Sequence, residues 1–221
     1  MKFGEYELKI IIVPTMGTNC YFLSRDGKAL LVDAAGDGSL ILDYLNNKNL
    51  KLEAVLVTHG HFDHIEALDM IHEKVPEAKI YMCDKEKVVI DNNDYSLMDH
   101  QLKDDTKGAI TYLSDGTHIS ELGLDIELIN TPGHTIGSCC YYIKGLNLMF
   151  SGDTLFRETY GRTDLPTGNM KDIALSVAVK LMKFNDDLEV YPGHGLRTII
   201  GHERKNNELN RDYVIEWAKS V

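Results

Sequence analysis

The segment Thr58–His64, THGHFDH, is the feature that most constrains this chain, and it follows directly on the apolar run Ala54–Val57. Three histidines and an aspartate crowded into residues 59–64 add little to an apolar core, but they offer several ligand atoms at one place. The apolar run is typical of a buried strand, and the glycine allows the backbone to turn sharply beside a site. The segment therefore predicts a metal-binding loop at the end of a strand.

Three further polar clusters follow apolar runs in the same way. They are Pro132–His134 after IELIN, Ser151–Asp153 after LMF, and Pro192–His194 after LEVY. In α/β sheets, ligands and catalytic groups collect on loops beyond the carboxyl ends of strands, so segments far apart in sequence can meet there. Each cluster is weak evidence alone, but their matching positions predict that all four share one site.

The candidate ligands are sufficient for two metal ions. Zinc prefers imidazole nitrogen and carboxylate oxygen, and a catalytic zinc keeps one position open for water. If Asp153 bridges the two ions, the remaining ligands divide into one set of His59, His61 and His134 and another of Asp63, His64 and His194. Two metals about 3.5–4 Å apart would hold a bridging hydroxide, because metal binding lowers the pKa of water toward about 7. The histidines outside these clusters are predicted to be ordinary polar residues, namely His72, His100, His118 and His202.

Length, charge and cysteine content limit the possible partners and setting. A chain of 221 residues is compatible with one domain, so we expect a single domain over 1–221. The net charge of -11, without a basic stripe, would repel a phosphate backbone, so nucleic acid is not an expected partner. The sequence has neither a signal peptide pattern nor an apolar run of membrane-spanning length, and its four cysteines form no C-x-x-C pair. We therefore expect a cytoplasmic protein that acts on a small molecule, with its oligomeric state left open.

Apolar periodicity predicts an α/β chain. Strands are predicted at Tyr6–Val13, Asn19–Leu23, Ala29–Val32, Ala54–Val57, Lys79–Met82, Leu124–Asn130, Cys139–Ile143, Leu146–Phe150 and Leu188–Tyr191. Helices are predicted at Leu40–Leu45, Asp63–Glu73, Met170–Phe184 and Glu203–Ser220, with Trp217 on the buried side of the last. The polar stretch 91–107 lacks apolar periodicity, and we expect it to be a surface excursion over or beside the site.

These motifs resemble the metallo-β-lactamase superfamily, whose THxHxDH motif is matched in full by Thr58–His64. TPGHTIGS, SGDTLF, GRTDLP and YPGHG resemble its small glyoxalase II-like, or hydroxyacylglutathione hydrolase-like, branch. The resemblance implies an αββα sandwich of the metallo-β-lactamase type, with two mixed sheets packed between helices. It also implies the ligand division given above, and a role for Asp33 in orienting a ligand or a site loop.

Two departures from that branch bear on the substrate. Glyoxalase II enzymes carry a helical C-terminal region that binds glutathione, and the residues after His194 are too few to supply it fully. GRTD also occupies the loop where glyoxalase II usually has a lysine and an aromatic residue. Arg162 either binds substrate in place of that lysine or forms a structural pair with Asp164.

The resulting hypothesis is hydrolysis of small acyl thioesters such as S-lactoylglutathione by a hydroxide bridging two Zn²⁺ ions, with Fe or Mn as other possible metals. Asp63 and Asp153 are the predicted catalytic carboxylates. Three alternatives stay open: a mononuclear iron persulfide dioxygenase, a hydrolase of another ester, lactone or phosphodiester, and a metal-stabilised binding protein without turnover. β-Lactam hydrolysis is disfavoured, because that branch lacks the bridging aspartate that Asp153 would supply.

Overall fold

The computed structural model describes residues 1–220, and its centre is a pair of β-sheets. The first sheet has the spatial order β1 (Lys2–Phe3), β2 (Tyr6–Val13), β3 (Thr18–Arg25), β4 (Lys28–Val32), β5 (Lys51–Val57), β6 (Lys79–Cys83) and β7 (Ile110–Leu113). The second has the order β15 (Thr198–Ile199), β14 (Glu189–Pro192), β11 (Leu148–Gly152), β10 (Cys139–Ile143), β9 (Leu124–Asn130) and β8 (His118–Glu121). A separate hairpin pairs β12 (Leu155–Phe156) with β13 (Thr159–Tyr160).

Both sheets are mixed. In the first sheet, β1 to β4 are antiparallel neighbours, whereas β4 to β7 are parallel. In the second sheet, β11 and β14 are parallel and the other pairs are antiparallel. The carboxyl ends of β5, β9, β11 and β14 lead directly into the four polar clusters.

Short helices cover the outer faces of the two sheets. They are α1 (Ser39–Lys48), α2 (Phe62–Ile65), α3 (Leu68–Lys74), α4 (Lys87–Ile90), α5 (Asn93–Ser96), α6 (Asp104–Ala109), α7 (Met170–Ala174), α8 (Ile200–Asn206) and α9 (Asp212–Lys219). Residues 84–86 and 144–146 form single 3₁₀ turns. None of the helices within residues 1–220 combines the length and the apolar character that crossing a membrane requires.

Alternating side chains of the strands fill separate apolar layers. On β3, Cys20 and Phe22 pack against α1 and α3, whereas Tyr21 and Leu23 pack between the sheets. The second sheet likewise buries Cys139 and Tyr141 in the central layer and Cys140 against α7 and α9. Because successive side chains of a strand point to opposite faces, a strand covered on both faces is apolar throughout. The layers therefore follow the order helix, sheet, sheet and helix, which confirms the sandwich that the family resemblance implied.

Two predicted helices differ from the structure in their continuity. The predicted helix Asp63–Glu73 is divided into α2 and α3. The predicted helix Met170–Phe184 begins as α7, continues with π-type hydrogen bonds over Leu175–Lys180, and ends in a 3₁₀ turn at Leu181–Lys183. Apolar spacing detects the buried face of such a segment, but it does not detect these changes in backbone hydrogen bonding.

The prediction of one terminal helix with a buried Trp217 is wrong. The segment forms α8 and α9, and Asn207 lies between them with its side chain bonded to the backbone of Thr159 and Leu209. Such side-chain bonds compete with helical ones and favour a helix end. On α9, Val214 and Ala218 face the core. Trp217 therefore lies on the outer side of the helix and is 49% exposed.

Candidate metal centre

Four of the predicted ligands lie within residues 59–64, in the segment that follows β5 and in the short helix α2. His59 and His61 lie in the extended segment that follows the strand, and His61 is the residue that precedes α2. Asp63 and His64 belong to α2 itself. All three imidazoles are buried, and the Asp63 side chain is largely buried. The end of β5, the extended segment after it and the helix α2 therefore hold the four side chains in fixed relative positions.

The structure brings all seven predicted ligands together. Six of them form two groups, and His59, His64 and Asp153 form a third group that connects the two. The first group contains His59, His61 and His134, and the second contains Asp63, His64 and His194. Within the first group, His61 Nδ1 lies 2.9 Å from His134 Nε2. Within the second, His194 Nε2 lies 3.2 Å from Asp63 Oδ2 and 3.4 Å from His64 Nε2. This division is the one that the sequence predicted, and the role of these residues as ligands stays a prediction.

Asp153 lies between the two groups. Its Oδ2 atom is 3.6 Å from His134 Nε2 in the first group and 3.5 Å from His194 Nε2 in the second. Its Oδ1 atom is 3.4 Å from His64 Nε2. A carboxylate in this position can contribute to both groups, as the prediction of a bridging Asp153 requires.

The donor atoms fit divalent metal ions. Ligands about 2.1 Å from a tetrahedral zinc are separated from one another by about 3.4 Å, which is close to the spacings within these groups. Within residues 1–220, His59 Nε2 and Asp153 Oδ1 are buried in this cluster and have no hydrogen-bond partner. Buried polar atoms are almost always paired, so these two atoms fit a metal-binding role. The chemistry of the set, imidazole and carboxylate, suits zinc and also iron or manganese.

Asp33 contacts one of the histidines directly and a second one through Thr58, and the orienting role that the family resemblance implied stays a prediction. Its Oδ2 atom lies 2.8 Å from His64 Nδ1 and accepts a 2.8 Å hydrogen bond from Thr58 Oγ1. Its Oδ1 atom accepts a bond from the Thr58 amide. Thr58 Oγ1 in turn lies 3.2 Å from His59 Nδ1. Carboxylates bound to the outer nitrogen of a ligating histidine fix its ring orientation and tautomer.

The outer nitrogen of His134 is held by backbone instead. His134 Nδ1 lies 2.8 Å from the carbonyl oxygen of Arg162, the residue that opens the RTD sequence. The preceding Gly161 packs so closely that a Cβ atom there would overlap the Asp153 carbonyl oxygen. Gly193 is similarly restricted, since a Cβ atom would overlap Asp153 Oδ1. The glycines of these loops therefore allow the backbone to approach Asp153 closely.

Two residues that support the site were not identified from the sequence. Thr18 Oγ1 donates a 2.9 Å hydrogen bond to Asp63 Oδ2. Glu86 is fully buried and accepts bonds from the Gly60 amide, the Thr135 hydroxyl and the Gly137 amide. Glu86 thereby joins the loop that carries His59 to the loop that carries His134. Its sequence context, DKEK, is typical of a surface turn, so no local signal could have identified it.

Burial and neighbouring charge divide the histidines into two kinds. Burial lowers the pKa of His59 and lowers that of His61 to about 3, so both rings are neutral at pH 7. Burial also opposes charge at His64, but Asp153 and Asp33 outweigh it and raise the pKa of His64 to about 10. At Asp63, burial is outweighed by hydrogen bonds and charge from His194 and His64, which hold its pKa well below the usual range. Nearby carboxylates therefore favour the charged form of His64 in the second group, whereas His59 and His61 in the first group stay neutral.

The two groups open onto a cavity of about 560 Å³. Apart from the ligands, its lining is mainly apolar and consists of Met16, Phe62, Leu97, Phe156, Thr159, Tyr160, Arg162 and Leu165. Leu97 comes from the excursion 91–107, which lies beside the site as expected. Arg162 lies at the cavity, but its guanidinium donates two 2.7 Å bonds to the Asp164 carboxylate. Both roles considered for Arg162 thus have a structural basis, and its charge is already paired.

A family model described as the metallo-beta-lactamase superfamily matches residues 13–194, and the chain belongs to that superfamily. The probable metallo-hydrolase YqgX of Bacillus subtilis is 36% identical over 86% of this chain and 90% of its own. The hydroxyacylglutathione hydrolase GloC of Haemophilus influenzae is 28% identical over 90% of this chain and 96% of its own. The crystal structure of the BLEG-1 B3 metallo-beta-lactamase matches with a TM-score of 0.82 and 28% identity, over 92% of this chain and 99% of that one.

These similarities confirm the predicted superfamily and its fold. They support a metal-dependent hydrolase, in agreement with the cluster of histidines and aspartates. They leave open the metal and the substrate.

Proposed function

We propose that this chain hydrolyses small acyl thioesters, such as S-lactoylglutathione, with two zinc ions held by the seven clustered side chains. The observation that carries this proposal is the pair of three-residue groups with Asp153 between them. The similarity to GloC, which is named a hydroxyacylglutathione hydrolase, supports the substrate class. The four cysteines are free and buried, which fits the predicted reducing cytoplasm.

The chain's residues would divide the work as follows. His59, His61 and His134 would hold one ion, Asp63, His64 and His194 the other, and Asp153 would contact both. When bound, the metal ions supply Lewis-acid chemistry, which polarises a carbonyl and lowers the pKa of water.

Other groups keep this arrangement fixed while a substrate binds. Asp33 and the Arg162 carbonyl oxygen hold the rings of His64 and His134, so little reorganisation is needed during the reaction. Phe62 and Phe156 line the cavity and would exclude water around the acyl group. The hydrogen bond from Thr18 holds the Asp63 carboxylate beside His64 and His194 in the second group. Cys139 and Cys140 are buried with raised pKa values, so neither provides a thiolate nucleophile.

The test combines elemental analysis with assays on one freshly purified sample. We expect about two zinc ions per chain and turnover of S-lactoylglutathione. The Asp153→Ala variant should lose most activity and part of its metal, whereas the exposed Asp187→Ala control should retain both.

Other outcomes point to the alternatives. About one iron per chain, with oxygen consumption on glutathione persulfide and no thioester hydrolysis, would replace the proposal with a dioxygenase. Hydrolysis of a lactone, a phosphodiester or a β-lactam without thioester turnover would reassign the substrate. An unchanged rate in Asp153→Ala would refute the two-metal arrangement.

A further inference from the structure

A second cleft lies next to the catalytic cavity, and its lining is basic. It has a volume of about 410 Å³ and is lined by Arg157, Leu196, Arg197, Thr198, Ile199 and His202. Among the described residues, no carboxylate contributes to this lining. Two guanidinium groups therefore face one cleft, and Glu189 and Glu158 beside them offset part of their charge.

Glu189 and Glu158 contact the two arginines of the cleft but leave most of the guanidinium N–H donors free. Arg197 Nη1 contacts Glu189 at 3.0 Å, and Arg157 Nε contacts Glu158 at 3.8 Å, which is beyond hydrogen-bond distance. The two arginine side chains are 52% and 49% exposed, respectively. A guanidinium carries five N–H donors in a planar fork, so most donors of both groups can reach an added anion.

The cleft and the cavity share a wall. Phe156 lines the catalytic cavity, and the next residue, Arg157, lines the cleft. The Phe156 ring also packs edge-on against His194, with 6.1 Å between ring centroids. Leu196 of the cleft is two residues beyond His194. The β12–β13 hairpin and the segment after β14 therefore each contribute side chains to both the cavity and the cleft.

The catalytic cavity itself offers an anionic substrate little charge. Arg162 is the one arginine or lysine in its described lining, and its guanidinium is paired with Asp164. The other non-ligand side chains there are apolar or uncharged. A thioester with a charged thiol half would thus place its acyl group in the cavity and its charge elsewhere.

We propose that Arg157 and Arg197 at this cleft bind the anionic end of the thiol half of the substrate, whereas His202 is held by Glu158. This inference rests on the proposed thioesterase function. The recognised group is an oxyanion, which arises either as a carboxylate of a glutathione-type thiol or as a phosphate of a coenzyme A-type thiol. Arginine forks bind both groups with paired, charge-assisted hydrogen bonds.

Steady-state kinetics with three thioesters test this binding role. The substrates are S-lactoylglutathione, acetyl-coenzyme A and the uncharged S-acetyl-N-acetylcysteamine. In Arg157→Ala and Arg197→Ala, we expect the KM of an anionic thioester to rise about tenfold, because each change removes charge-assisted bonds. The KM for the uncharged thioester should change by less than about twofold. Arg211→Ala is the matched control, because Arg211 is exposed and lies outside both linings.

The pattern among the substrates distinguishes the two anion sources. A selective effect on S-lactoylglutathione indicates carboxylate recognition, and a selective effect on acetyl-coenzyme A indicates phosphate recognition. Added salt should raise the KM of the affected substrate in the wild type, since exposed charges are screened. It should not do so in the double variant, which combines Arg157→Ala with Arg197→Ala. Unchanged KM values for both anionic thioesters in the double variant would overturn the inference.

Calorimetric binding of S-methylglutathione and coenzyme A separates this inference from the proposed function. These probes contain no thioester, so they report on the cleft even if the wild type hydrolyses no thioester. Binding that is lost in the double variant supports the cleft while the thioesterase proposal fails on its own assay. Equal binding by both proteins, or no binding by the wild type, would refute an anion site at this cleft.

Discussion

Glu86→Gln should change how the stability of this protein depends on pH. Burial raises the pKa of Glu86 from 4.5 to about 7, although the donors of Gly60, Thr135 and Gly137 oppose this shift. The unfolded chain therefore releases the Glu86 proton at a lower pH than the folded chain does. It follows that the contribution of Glu86 to stability is fully present below about pH 4.5 and is lost as the pH rises to about 7.

The size of this loss follows from the same shift. At about 1.4 kcal/mol for each pH unit, the change from 4.5 to about 7 corresponds to a loss of about 3 kcal/mol. Glutamine does not titrate, but its amide cannot accept from both Gly60 and Gly137, which costs about 1–2 kcal/mol at every pH. The wild type should therefore be the more stable protein at pH 5, and Glu86→Gln should be the more stable one at pH 8.

Urea denaturation of metal-free protein at several pH values tests this crossing. Metal-free samples are needed because a bound cation nearby would itself shift the titration. Other groups titrate alike in both proteins, so the difference between their free energies of unfolding isolates residue 86. Glu77→Gln, at an exposed position, is the control and should show no such trend. A difference between wild type and Glu86→Gln that stays constant from pH 5 to pH 8 would refute the reasoning.

Three further perturbations address the metal site. Gly193→Ala would force a Cβ atom into Asp153 Oδ1 and should lower metal content, whereas Gly108→Ala, with open space around its Cβ atom, should raise the helix stability by about 0.5–1 kcal/mol; equal metal content in both variants would contradict the close contact. Asp33→Asn should weaken zinc affinity about 10–100-fold in a competition titration with a chromophoric chelator, because a carboxylate partner of His64 is lost; wild-type affinity would argue against an orienting role. Removal of metal by dipicolinic acid should abolish turnover and lower the Tm, and added zinc should restore both; turnover that survives verified metal removal would exclude a metal-dependent reaction.

The parts of the site that could be predicted from the sequence are those encoded by neighbouring residues. An apolar run followed directly by Gly, His or Asp identifies a strand and the loop at its carboxyl end. This local signal placed His59, His134, Asp153 and His194 at the ends of β5, β9, β11 and β14, where the structure has them. The long strands were identified for the same reason, since each carries its own apolar pattern.

Features that depend on distant contacts could not be predicted in this way. Glu86 meets the groups it binds across 26 and 49 residues of chain, so its own surroundings look like a surface turn. The edge strands β1, β7 and β15 are short, and pairing with neighbours defines them more than their composition does. Trp217 was predicted on the buried side of one terminal helix, but Val214 and Ala218 occupy the buried face of α9.

The two sheets contribute different halves of the candidate site, which connects metal binding to the stability of the whole sandwich. His59, His61, Asp63 and His64 follow β5 of the first sheet, whereas His134, Asp153 and His194 follow strands of the second. Each three-residue group contains predicted ligands that follow strands of both sheets. A metal ion bound to either group would therefore hold the sheets together in addition to ordering a loop. Because ligands that bind only the folded state stabilise it by mass action, bound metal ions should raise the free energy of unfolding of the sandwich.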